Sequence, residues 1–200
     1  GEEEYGGAKR TSNQSFSPKD EIKYWFSGFE AKKWLKKGYT KKEMDIYIPP
    51  SVDEILSKKI NRQFWSYYQF WDPQEHYYYA SKNTGFKSNP DGRSEGTYSK
   101  YASLDDAIDG FHFYFMFLKF GIGRATSDAA HEIRDKHLTR EEAVKLVKKY
   151  DGEFPKKYFQ EFLEYIDITE QQFWDLIDKS RSPHLWQRSG NSWLLKNQIS

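Results

Sequence analysis

The sequence predicts a mainly helical chain with a small strand content, and three observations predict it. Ser, Thr or Asp stands before Pro, or three residues before Glu or Gln, again and again along the chain, which is the chemistry of helix starts. Apolar residues recur at helical spacing in the second half, as in Ala143, Leu146, Val147 and Tyr150. Strand chemistry is concentrated in one aromatic run, Asn61 to Trp71.

The totals bound the problem. Two hundred residues suit one domain or a large part of one. Seven Trp, fifteen Tyr and fifteen Phe can fill a core despite the low apolar content, because each ring buries about 150–250 Å². A formal charge of +1 argues against a chain built to bind nucleic acid or another polyanion. The chain has no Cys, hence no disulfide, thiolate metal site or Cys nucleophile, which fits a cytoplasmic protein. No apolar stretch approaches the ~20 residues needed to cross a bilayer, so membrane insertion is not expected. No signal peptide is expected.

Taken in order, Gly6-Gly7 follows three carboxylates and can turn at a strand end, where ligands approach in α/β folds; a frayed acidic terminus is the alternative. Ser17-Pro18 opens a helix to about Phe26, and a second short helix runs from Glu30 to Lys37, stopped by Gly38. Lys32, Lys33, Lys36, Lys37, Lys41 and Lys42 form a basic face, either solvated or a phosphate or RNA surface. Thr40-Glu43 and Ser51-Glu54 cap two further short helices. The strand over Asn61 to Trp71 runs into a helix capped by Asp72 with Pro73 at its first position, ending near Asn83-Thr84-Gly85. Asp72 is then either a plain cap or part of a strand-to-helix ligand site. A long loop, Phe86 to Lys100, carries donors on Arg93, Thr97, Tyr98 and Lys100. Ser103 to Asp106 caps an aromatic helix running from about Leu104 to Phe120. Thr139, Pro155 and Thr169 start three short helices expected to form a small bundle. Ser182 to Ser200 reads as irregular but docked through its Trp and Leu residues.

The chain is centred on Phe111 to Arg134, where two helical patterns meet at Gly121-Ile122-Gly123. Lys119 and Arg124 flank this corner, and Asp128 follows one turn later. An anionic or hydroxyl-rich ligand could approach glycine backbone here; a plain helical corner explains the same glycines. The five His form no metal motif, and His112 is expected in the core or a cleft. Walker A, Rossmann and nucleophile-elbow strings do not occur.

Several strings go further: GEEEYGG, YWFSGFEAKKWLKKGY, FWDPQEHYYYASKNTGF, SEGTYSKY, DGFHFYFMFLKFGIGRATSDAAHEIRD and LTREEAVKLVKKYDGEFP. In order and wording, the chain resembles the N-acetyl sugar amidotransferases of surface-polysaccharide and lipopolysaccharide biosynthesis, a branch of the PP-loop ATP pyrophosphatases. The likeness spans essentially all the residues, and KFGIGRATSDAAHEIR is its most specific part.

The resemblance implies an adenine-nucleotide-binding α/β domain, of which residues 1–101 keep a residual portion with helical insertions, and a helical C-terminal region over 102–200. It implies ATP with Mg as cofactor, a nucleotide-linked N-acetyl sugar as substrate, and ammonia from a glutaminase acting through a cyclase-like subunit. Adenylation would make the acetamido oxygen a leaving group, and ammonia would replace it to give an acetamidino group. The Ser-Gly-Gly-x-Asp-Ser PP-loop of that family does not occur in this sequence. The chain is therefore expected to be a C-terminal part that is inactive alone. Candidate binding residues are Glu4, Tyr5, Gly6 and Gly7 at a nucleotide-side strand end, Trp71 and Asp72 at the second strand end, and Lys119, Arg124 and Asp128 at the corner. Arg124 suits bidentate oxyanion binding and Lys119 a point charge on phosphate. Asp128, four residues after Arg124, could instead only pair with it. Two other readings remain: a non-catalytic interaction module, and part of a PP-loop tRNA-modifying enzyme, against which the near-neutral charge weighs.

Overall fold

In the computed structural model, residues 25–26, 29–48, 50–61, 63 and 65–199 are described. The chain separates into two units, Gly1–Trp71 and Asp72–Ser200. The division expected at 101/102 falls inside the second unit. The architecture is mainly helical, with two short antiparallel hairpins among the described residues.

In the first unit, β1 (Trp25–Phe26) pairs with β2 (Phe29–Glu30). The helix expected from Pro18 lies outside the described residues up to 24, and its last two residues form β1 instead. Helix α1 (Ala31–Leu35) follows, then α2 (Lys41–Met44), extended by a 3-10 turn at Asp45–Tyr47, and α3 (Val52–Ser57). The Thr40–Glu43 capping box closes in both directions, and Ser51 accepts from the Glu54 amide. Met44 and Ile55 are the buried apolar residues described in this unit.

The strand expected over Asn61 to Trp71 is not found among the described residues, where Gln63 makes only an isolated bridge. Its described part contains a 3-10 turn at Trp65–Tyr67, held by Tyr68 N donating to Trp65 O and by Trp65 Nε1 donating to Gln69 Oε1 at 3.1 Å. The strand preference of aromatic residues is a preference for packing on a half-buried sheet. Trp65 and Phe70 are each 69% exposed, so that reward is missing and local bonds decide the backbone.

The second unit opens with α4 (Pro73–Asn83), started by Asp72 and bounded as its cap chemistry predicts. The loop after it leads to α5 (Asp109–Phe120), which begins five residues later than expected. Ser103 adopts φ 51°, and Asp106 Oδ1 accepts from the Ile108 amide, so the residues meant to cap a helix build turns instead. Helix α6 (Arg124–Arg134) follows the glycine corner, and α7 (Arg140–Tyr150), α8 (Phe159–Ile166) and α9 (Glu170–Ser180) complete the helical part. The tail is not irregular: β3 (Trp186–Ser189) pairs with β4 (Ser192–Leu195).

Two cores form where one bundle was expected. Small residues let α6 and α7 approach closely, with Ala129, Ala143 and Val147 buried together. Helices α8 and α9 instead join α5 and the hairpin around Leu118, Leu163, Phe173, Ile177 and Trp186. Phe111 stacks on Phe162 at 4.1 Å between centroids, and Trp186 Nε1 donates to the Leu118 carbonyl at 2.7 Å, which docks the tail. His112, expected in the core or a cleft, is exposed.

The two cores meet at Gly152, which has φ 78° and whose added Cβ would lie 2.2 Å from Phe117 Cε1. Gly152→Ala is therefore expected to lower unfolding stability by roughly 2–4 kcal/mol, from left-handed strain plus overpacking. Denaturant unfolding of the chain measures it, and a loss within error of zero would mean that Phe117 yields freely.

Candidate functional site

The glycine corner is built as its residues predict. Gly121, at φ 73°, ends α5 in the left-handed region, and its N–H reaches Phe117 O. Gly123 is needed for a different reason: its added Cβ would meet Asp151 Oδ1 at 2.6 Å. Asp151 Oδ2 accepts from Gly123 N at 2.9 Å and from Thr126 Oγ1 at 2.5 Å, and its Oδ1 from Thr126 N at 3.2 Å. The first amides of α6, the natural anion site of a helix, are thus occupied by the protein's own carboxylate.

Arg124, the first residue of α6, is 5% exposed. Its Nη1 donates to Asp109 Oδ2 at 3.0 Å, and its guanidinium lies over the Phe113 ring at 4.7 Å. Asp128 forms the expected i, i+4 ion pair with Nε at 3.9 Å, too long for a hydrogen bond, so the buried Nε has no hydrogen-bond partner. The carboxylate instead accepts a short hydrogen bond from the buried Thr97 hydroxyl. Burial pushes the Asp128 carboxyl above its ordinary range, against the opposing pull of Thr97 and Arg124. Lys119 is exposed at the far end of α5 and does not join this cluster; its carbonyl accepts from Ser182 Oγ.

A cleft of about 360 Å³ opens beside Arg124. Three segments line it: the loop over 87–95, the turns leading into α5, and Pro155 to Tyr158. The loop is pinned at both ends of its reach. Arg93 forms a two-pronged pair with Glu153 at 2.6 and 2.8 Å, Glu153 also accepts from Gly96 N, and Lys157 Nζ donates to Asp91 at 2.7 Å. The sequence points to Arg93 and this loop as a source of donors and to Asp106 only as a cap; nothing in its spacing singles out Asp91, Glu95, Asp109 or Lys157. The acidic run Asp105-Asp106 ahead of a helix was the available signal, and it reads equally well as a cap.

The cleft carries four cations (Lys87, Arg93, Arg124, Lys157) and four carboxylates (Asp91, Glu95, Asp106, Asp109). ATP with Mg²⁺ does not fit this lining, because a triphosphate calls for a net positive cradle with free backbone N–H groups. Glu4, Tyr5, Gly6 and Gly7 lie outside the described residues. Trp71 is 43% exposed at the end of the first unit.

Asp72 is buried, and both its oxygens are engaged. Oδ1 caps α4 through Gln74 N and Glu75 N at 3.0 Å each, and Oδ2 meets His137 Nε2 at 2.7 Å. His137 also lines a second, small cavity of about 70 Å³, together with Asp128, Glu132 and Asp135. Asp72, Asp135 and His137 could offer one ligand atom each to a cation within 4.8 Å of one another. In this structure Asp72 and His137 satisfy each other directly.

A protein-family model for the C-terminal domain of WbpG-like lipopolysaccharide (LPS) biosynthesis proteins matches residues 95–199, more than half of the chain. The chain belongs to the WbpG-like LPS biosynthesis family. Comparison with curated proteins returned no match. The WbpG-like span encloses Arg124, Asp109, Asp128 and Lys157, whereas Asp72 and the first part of the cleft loop precede it. No described helix is long and apolar enough to cross a membrane.

The Asp72–His137 pair gives the second unit a pH signature. Hydrogen bonding to Asp72 raises the His137 pKa above its ordinary 6.5. For Asp72, burial pushes the carboxyl up, but the Glu75 amide, His137 and the Gln74 amide outweigh it and hold the pKa below 3.8. The raised His137 stabilises the fold fully below 6.5 and loses that contribution as pH climbs through its raised value. The lowered Asp72 contributes above 3.8 and loses it as pH falls through its depressed value. Denaturation midpoints measured against pH should therefore decline above 6.5, and His137→Gln should flatten that limb. An unchanged limb in the variant would assign the decline to other groups.

Proposed function

We propose that this chain is the C-terminal part of an ATP-dependent N-acetyl sugar amidotransferase of LPS biosynthesis. In this reading the full enzyme converts the acetamido group of a nucleotide-linked sugar to acetamidino. The observation that carries it is the WbpG-like match over 95–199, which encloses KFGIGRATSDAAHEIR and the cleft wall that Arg124 forms. ATP and Mg²⁺ are assigned to a PP-loop, a string these residues do not contain, and ammonia to glutaminase and cyclase-like subunits. The described part of this chain supplies binding surface for the substrate: a buried guanidinium beside carboxylates, hydroxyls and one exposed ring.

A non-catalytic interaction module is the second reading, favoured by Tyr78 and Tyr79, which stand 62% and 70% exposed on α4. Interface anchors are often such rings.

Reconstitution decides between them. The chain joined to a PP-loop segment and supplied with glutaminase and cyclase-like subunits, ATP, glutamine and a nucleotide-linked N-acetyl sugar should yield a sugar that has exchanged oxygen for NH, read by mass spectrometry. The chain alone should yield none. Assemblies that form stably yet never make amidine would favour the interaction module.

Within the active assembly, Arg124→Lys removes the planar fork while keeping charge. Losing a charge-assisted hydrogen bond costs about 1.5–3 kcal/mol, so kcat/KM should fall roughly ten- to a hundred-fold. Unchanged kinetics in a variant with unchanged melting would remove Arg124 from substrate binding.

A further inference from the structure

We propose that the cleft beside Arg124 is a pyranose subsite: it takes the hydroxyl-rich N-acetylated ring of the substrate and leaves the diphosphate and nucleoside outside. This rests on the reading of the substrate as a nucleotide-linked sugar and adds which part of it this unit holds.

The first observation is the under-satisfied guanidinium. An arginine carries five N–H donors. Among the described residues, Arg124 makes one hydrogen bond, to Asp109, and its Nε is buried with no acceptor. That buried Nε faces Asp128 at 3.9 Å and is closed to a ligand; Nη2, which makes no hydrogen bond among the described residues, is the donor left for an acceptor oxygen entering the cleft that Arg124 lines.

The second observation is charge. Three of the four cations on the cleft already face a carboxylate: Arg124 with Asp109, Lys157 with Asp91, and Arg93 with Glu153. A diphosphate entering here would meet four carboxylates and little free positive charge. A neutral polyol meets the opposite situation, since each of its hydroxyls can donate to a carboxylate and accept from a cation. Asp106 supports this: its Oδ1 takes the Ile108 amide, and no described partner takes its other oxygen.

The third observation is shape. A volume of about 360 Å³ sits near the lower end of small-molecule sites, about 300–1,000 Å³, which suits one ring and not a whole nucleotide sugar. Tyr158, 38% exposed, brings an aromatic ring to the lining, and the C–H face of a pyranose is the apolar surface that such a ring accepts.

The test is binding to the full chain, with UDP-N-acetylglucosamine, UDP-N-acetylgalactosamine, their methyl glycosides without nucleotide, and UDP as probes. Saturation-transfer NMR should place the contact on ring and acetamido protons with weak transfer to uracil. UDP should bind at least tenfold more weakly than at least one UDP-sugar, and the affinity should change little with salt. Asp109→Asn and Tyr158→Ala should each weaken sugar binding at least fivefold; if the first melts early, the second still decides. UDP binding as well as the UDP-sugars, saturation centred on uracil, steep salt dependence, or no binding by any probe would overturn the proposal. The reading of function fails separately: sugar held in the cleft by an assembly that never forms amidine would sink the amidotransferase while leaving the subsite standing.

Discussion

A cation at the first position of a helix is in the wrong place. The amide dipoles of α6 present partial positive charge at that end, and Arg124 adds a full one there while almost entirely buried. Two carboxylates from elsewhere in the chain make this tolerable: Asp151 receives the amides and hydroxyl at the helix start, and Asp109 receives the guanidinium. Together they tie the start of α5, the start of α6 and the end of α7 into one electrostatic knot. Removing either carboxylate would leave buried positive charge or N–H groups uncompensated, the costly situation in a protein interior.

That knot sits between the two cores and explains why they divide the helices as they do. Asp151 and Gly152 end α7, so the residue that neutralises α6 is followed directly by the glycine that lets Phe117 of α5 pass. Chain direction and charge compensation are thereby settled in two adjacent positions. The cleft grows out of the same arrangement. Glu153, next in sequence, grips Arg93 and Gly96 and so holds the long loop over 87–95 against the helical body. A loop of that length can present a defined surface because its backbone and side chains are clamped from the far side of the fold.

The span that matches the WbpG-like family includes Arg124 and much of the rest of the cleft lining. The amidotransferase reading assigns this chain to holding a sugar, and the balanced, hydroxyl-friendly lining is consistent with that division of labour.

By itself, the sequence determined the local events. Thr40, Ser51, Asp72, Thr139 and Thr169 start helices where their side chains predict, and Gly121 turns the corner after α5. These outcomes are decided within a few residues, where i to i+3 bonding and a positive φ leave little choice. Only the tertiary structure decided the rest. The described part of the aromatic run from Asn61 is no strand because strand preference is repaid by neighbours, and the tail pairs as a hairpin that docks through Trp186 on the Leu118 carbonyl. Asp109, Asp151, Thr97 and Glu153 became the partners that define the site, yet each lies fifteen to sixty residues from the group it serves. Arg124 and Asp128, four apart on one helix, do pair at 3.9 Å as that spacing predicts, yet each makes its hydrogen bond elsewhere, with Asp109 and Thr97. In a buried site the nearest carboxylate in space wins, and sequence spacing does not rank candidates that the fold brings together from afar.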